Sequence, residues 1–191
     1  MKTLPGISQI LFNRFYSIFR TLPCIFCTLA IASSVSAQET DNAMLKYGLN
    51  FLKTPYVAHT LEVNEEEKLV VNFDEVDCTT FVEYVLALAL SPVKNGTIDN
   101  ADYARTLQSI RYRDGKINGY TSRLHYIADW VNNGVRHGFM EDITAANSPD
   151  TVRLSLNFMS THPKAYKHLE SSPENISKIE EIELSLIHIS E

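Results

Sequence analysis

Of the three cysteines, Cys24 and Cys27 lie in the first 37 residues, and beyond them Cys78 stands alone. An intrachain disulfide past residue 37 is therefore excluded. No His or Cys pair has metal-ligand spacing, so no metal site is expected and no cofactor is implied. Basic charge is scarce as well: the chain has 17 Lys and Arg against 23 Asp and Glu. Loss of Lys2, Arg14 and Arg20 with the leader leaves 14 against 23, about −9 with His neutral. No basic stripe remains to neutralise phosphates, which removes nucleic acid from the expected partners. Internal repeats and low-complexity tracts are absent too, and 191 residues suffice for one domain with a real core but not for two comfortable ones.

The leader has a definite order. Lys2, Arg14 and Arg20 precede an apolar run from Leu22 to Ile31, and small residues follow to Val35-Ser36-Ala37. That order predicts a secretory signal peptide over residues 1–37, cut between Ala37 and Gln38. The apolar run is short of the ~20 residues that span a bilayer, so no stable membrane insertion is expected after cleavage. A retained N-terminal anchor is the alternative, and it also puts the domain outside the cytoplasm. The expected location is periplasmic or secreted. A lone thiol in such an oxidising compartment is a liability unless it is buried or used.

Past the leader, Met44, Leu45, Leu49 and Leu52 fall at helical spacings, ended by Thr54-Pro55. Tyr56 to Leu61 reads as an extended loop, and Leu69 to Phe73 as a short strand or extended segment. Asp77 is a good N-cap for a strongly apolar helix from Cys78 to Leu90, stopped by Pro92 and expected to be central and buried. A third helix follows Asp99 and ends near Asp114-Gly115. A fourth is expected from Ser122 to Asn133, with Gly134 beyond its end. Thr151 to Met159 alternates like a half-buried strand, and 163–170 and 173–183 read as short helices.

Cys78 follows a cap at the start of a helix, where unpaired N–H groups and the helix dipole favour a thiolate. That suits a nucleophile. A small core hydrophobe is the equally ordinary alternative for a cysteine on an apolar helix.

The run Asp77-Cys78-Thr79-Thr80-Phe81-Val82-Glu83 resembles the nucleophile segment of NlpC-type cell-wall peptidases, and Thr54-Pro55-Tyr56-Val57 resembles the segment that precedes it. Thr60-Leu61-Glu62, Ile110 to Gly115, Gly119 to Tyr126 and Asp129-Trp130 narrow the resemblance to the N-acetylmuramoyl-L-alanine amidase-like branch. His59 departs from the pattern, standing where that family usually has Gly.

The resemblance implies an α+β, papain-like fold of which these residues supply mainly the helical half. It implies hydrolysis of the amide between N-acetylmuramic acid and L-alanine in muropeptides, through an acyl-enzyme on Cys78. A stem-peptide endopeptidase and a non-catalytic wall-binding domain are the alternatives. Tyr56, Glu62, Arg123 and His125 are the expected substrate contacts: Tyr56 through its hydroxyl, Glu62 by meeting an amine, and Arg123 by gripping a carboxylate. His125 is placed on a helical flank with Arg123 and Asp129, a substrate contact in preference to the in-chain base, with plain structural packing as the further alternative. His137, His162, His168 and His188 read as surface residues. The family's downstream His-Val-Gly-type segment is not found, so the catalytic base is expected beyond residue 183 and this chain alone is expected to be inactive. Residues 38–183 are then the N-terminal part of the domain, and 184–191, Leu-Ser-Leu-Ile-His-Ile-Ser-Glu, resemble a translated sequencing adaptor, with a genuine C-terminal strand as the alternative.

Overall fold

A computed structural model describes residues 43–143, 147, 151–153, 155–186 and 188–190; the expected signal peptide lies outside them. Helix α1 (43–48) runs into a 3-10 turn, Leu49–Phe51, as its leucine spacing predicts. Helix α2 is Cys78–Leu90, held at its start by Asp77 and ended before Pro92. Val93–Lys94 (β1) and Thr97–Ile98 (β2) form an antiparallel hairpin. Its turn, Asn95-Gly96, has positive φ at both residues, the requirement that makes Asn-Gly a hairpin signal. Helix α3, Asn100–Arg111, is capped by Asp99, which accepts from the amides of Ala101 and Asp102.

Helix α4 is Ile127–Arg136, so it starts later than its apolar spacing suggests. Residues 120–122 make a 3-10 turn, and Arg123 bridges antiparallel to Tyr112 instead of turning into a helix. Leu124 N–H is spent on the Arg111 carbonyl at 3.0 Å. Gly134 lies within α4 rather than after it, and a Cβ there would come within 3.0 Å of Met140 and Phe139 side-chain atoms, which accounts for glycine at that position. The predicted strand from Thr151 is also shortened. Strand β3 is Thr151–Arg153 and pairs antiparallel with β4, His188–Ser190, whereas Phe158–Thr161 is helical (α5). Lys167–Glu170 (α6) and Pro173–Ser185 (α7) match the expected helical stretches. The described residues thus form a helix-rich mixed fold with two two-stranded sheets.

One core gathers Val76, Tyr84, Leu86, Ala87, Tyr103, Leu107, Ile110, Leu124 and Trp130. A second gathers Tyr120, Met159, Leu169 and Ile179 from the C-terminal helices. Glu183 ties that second core together. Its Oε1 accepts from Tyr126 Oη at 2.6 Å and from the Met159 and Ser160 amides at 3.0 and 3.1 Å, so a carboxylate closes the open N-terminus of α5.

Residues 55–76 form a loop with a closed neck and little regular structure. Its ends meet where Val57 N–H donates to the Val76 carbonyl (3.0 Å) and Val76 N–H to the Pro55 carbonyl (3.1 Å). The Leu69–Phe73 segment finds no partner strand among the described residues. Side chains satisfy its backbone: Arg111 Nη1 donates to the Val70 carbonyl (2.6 Å) and Asn72 N–H donates to Tyr84 Oη (3.0 Å). His59, where a glycine was expected, has φ +64°. The left-handed geometry that favours glycine is kept, at the cost of strain on a residue with a Cβ.

Candidate active site

Two local devices place Cys78. Asp77 and Thr80 form a reciprocal capping box: Asp77 Oδ1 accepts from Thr80 N–H at 2.7 Å and Thr80 Oγ1 accepts from Asp77 N–H at 2.9 Å. Helical geometry therefore begins at Cys78, over the free amides of the first turn. The neck of the 55–76 loop then brings Tyr56 against the thiol. Charge on Cys78 raises the Tyr56 hydroxyl pKa above the ordinary phenol value, with lost solvation and Asp77 adding to it. Both side chains face solvent, Tyr56 at 70% exposure. Val82, one turn along the same helical face, is exposed too.

Glu62 and Arg123, expected to meet substrate, meet each other. Arg123 Nη2 lies 2.7 Å from Glu62 Oε1 and 3.5 Å from Glu67 Oε2, and its guanidinium sits over the Tyr120 ring at 5.0 Å. Tyr112 completes the cluster, donating to Glu67 Oε1 at 2.7 Å. Arg123 is only 6% exposed, so its charge is not offered to solvent.

His125 is not on a helix, as its spacing from Asp129 had suggested, but in the extended link before α4. Its Nε2–H donates to the Tyr120 carbonyl at 3.0 Å, and its ring lies 4.4 Å from that of Tyr120. Asp129 pairs with Arg113 instead. Burial, and then the Arg123 charge, hold the His125 pKa down at about 3. A neutral imidazole committed to a carbonyl is poorly poised for proton transfer near neutrality.

Two features escaped the sequence reading. His168, read as a surface residue, has a largely covered side chain whose ring lies 4.9 Å from Tyr120 and whose Nε2 stands 3.4 Å from Glu62 Oε2. No local pattern connects residue 168 to residue 62. The other is a buried ion pair, Glu83 Oε2 to Arg111 Nε at 2.7 Å, with the Arg111 guanidinium 5.4 Å from the Tyr84 ring centre. Burial raises the Glu83 pKa, and Arg111 opposes that shift. Here a signal existed: Glu83 is the one charge in the apolar run Phe81 to Leu90, and a buried charge demands a partner.

A cleft of about 460 Å³ lined by Arg113, Asp129, Asn132, Arg136, Ser185 and Leu186 includes none of the predicted site residues. Among the described residues no group of three or more His, Cys, Asp or Glu is placed to hold a metal ion.

Comparison with known proteins puts this geometry in context. The sequence profile of the AmiA-like family, described as N-acetylmuramoyl-L-alanine amidase-like, matches residues 46–191. A crystal structure of an N-acetylmuramoyl-L-alanine amidase from Bacteroides uniformis is 60% identical, with a TM-score of 0.73, over 76% of this chain and 62% of that one. A Bacteroides fragilis protein bearing the provisional name of a xylanase is 58% identical, with a TM-score of 0.72 over the same shares. A Legionella pneumophila protein at 20% identity shares the fold, with a TM-score of 0.54 over 81% of this chain and 55% of that one. The chain therefore spans less than two thirds of the length of these relatives. No curated protein matches it.

Proposed function

Since the chain belongs to the AmiA-like, N-acetylmuramoyl-L-alanine amidase-like family, we propose that it carries the nucleophile portion of an exported peptidoglycan amidase of papain-like, NlpC-type architecture. The observation that carries this reading is Cys78: exposed, first in a capped helix, with the Tyr56 hydroxyl beside it. A core-filling cysteine would be buried. The thiolate attacks the lactyl carbonyl of a muropeptide, the C–N bond to L-alanine breaks as the amine takes a proton, and water then releases the acyl group. Tyr56, beside the thiol, is the loop residue placed to meet the substrate.

The chain spans only 62% of its amidase relative, and the imidazole that shuttles the proton is assigned to the remainder; the low pKa and carbonyl bond of His125 argue against that residue as the base. Export through residues 1–37 places the enzyme in the periplasm or outside the cell, where its substrate is. A glycosidase reading, which the name of the Bacteroides fragilis relative raises, needs two free facing carboxylates. The pair that meets here, Glu62 and Glu67, is spent on Arg123.

The test is hydrolysis of defined muropeptides by the full-length protein, with products read by mass. Release of intact stem peptides with a free L-alanine amine, abolished by Cys78→Ser, is expected. Cuts inside the stem peptide would support the endopeptidase alternative, and activity that survives Cys78→Ser would end the cysteine mechanism.

A further inference from the structure

The 55–76 loop has its neck beside the nucleophile. Most of the tethers on its body come from α2, α3 and the 112–123 corner: Tyr84 to Asn72, Arg111 to Val70, Tyr112 to Glu67, and Arg123 to Glu62. One set of contacts comes from much further along the chain. Lys167 pairs with Glu65 at 2.7 Å and His168 stands 3.4 Å from Glu62 Oε2. These two contacts differ in kind. Lys167 and Glu65 are both well exposed, so their pair contributes little. The His168 side chain is 14% exposed and packs on Tyr120, which belongs to the second core. Glu62 Oε2 is sealed from solvent and makes no hydrogen bond. Leaving such a carboxylate oxygen unfaced is costly, so a side-chain nitrogen held beside it biases the position of Glu62 and of the loop that carries it.

We infer that His168 is a positioning residue for the amidase site, a latch by which the C-terminal helices hold the 55–76 loop and thereby seat Tyr56 against Cys78. This rests on the amidase reading above. Glu62 is the receiving side of the latch and Tyr120 its backing. The latch joins the two cores across the loop, so a defect in the C-terminal helices reaches Tyr56 while leaving the cap of α2 in place.

The test uses the full-length protein with three substitutions at one position. His168→Phe keeps the ring against Tyr120 and removes the nitrogen, His168→Gln keeps a side-chain nitrogen donor, and His168→Ala removes both. Muropeptide kcat/KM is expected to fall about tenfold in the Phe and Ala variants and to be largely restored in Gln, while alkylation of Cys78 by iodoacetamide, which depends on the helix cap, stays at the wild-type rate. A Glu-specific protease should cut at Glu65 and Glu66 faster in Phe and Ala than in wild type. Wild-type activity and protease resistance in His168→Phe, or equal loss in Phe, Ala and Gln, would overturn the latch. Should the full-length protein cut only inside the stem peptide, the amidase reading fails separately, and the protease arm alone decides the latch.

Discussion

At the residue scale, Tyr56 and His125 show how position decides chemistry. Tyr56 is exposed and packs little, so Tyr56→Phe is expected to leave the melting temperature unchanged while lowering muropeptide kcat/KM about tenfold, the loss of one useful hydrogen bond. A variant with unchanged kinetics would remove the hydroxyl from the mechanism. His125 makes a prediction of a different kind. Its folded pKa of about 3 lies below the ordinary imidazole value, so the unfolded chain takes up the proton first as pH falls. Stability is therefore full above about pH 6.5 and declines toward pH 3, by at most about 1.4 kcal/mol per pH unit. Melting curves between pH 7.5 and 4 should show this slope, and His125→Gln, which keeps a donor for the Tyr120 carbonyl, should flatten it. An unchanged slope would assign the acid sensitivity to other groups.

At the scale of elements, the capping box sets where α2 begins and hence where Cys78, the proposed nucleophile, stands. Asp77→Ala should cost about 1 kcal/mol of stability and slow alkylation of Cys78, because the frayed first turn no longer aims its amides at the sulfur. Asp77→Asn keeps an acceptor and should retain most of both. Equal losses in Ala and Asn would mean that the carboxylate charge, not the cap, matters at this position. The 55–76 loop illustrates the other way of holding an element. It has few backbone partners of its own, and its shape is held by side chains projected from α2, α3 and the corner at 112–123. Such a segment follows the elements it rests on.

For the whole molecule, the Glu83–Arg111 pair is the central tie, joining α2 to the end of α3 and, through the Val70 carbonyl, to the loop. Removing one partner leaves the other charge buried, so Glu83→Ala or Arg111→Ala should each cost about 3–5 kcal/mol in chemical denaturation. Replacing both with apolar residues of similar volume, as in Glu83→Leu with Arg111→Met, should recover most of that stability. Losses that simply add in the double variant would contradict the pairing.

Much of the local fold around Cys78 was legible in sequence because its causes are local. The cap at Asp77 and Thr80, the stop before Pro92, the turn at Asp114-Gly115 and the apolar spacing of α1 and α3 each depend on groups within a few residues, so one stretch of sequence determines them. The same short range made Cys78 identifiable as the first residue of its helix. What Glu62, Arg123, His125 and His168 do was decided only in the tertiary structure. Arg123 had the spacing of a helical residue exposed to ligand, but the bridge to Tyr112 outcompeted the helix and turned its charge inward to Glu62 and Glu67. His168 carried no local mark at all. Side chains can choose among distant partners only after the chain has brought them together, and a buried charge then takes whichever partner the packing delivers.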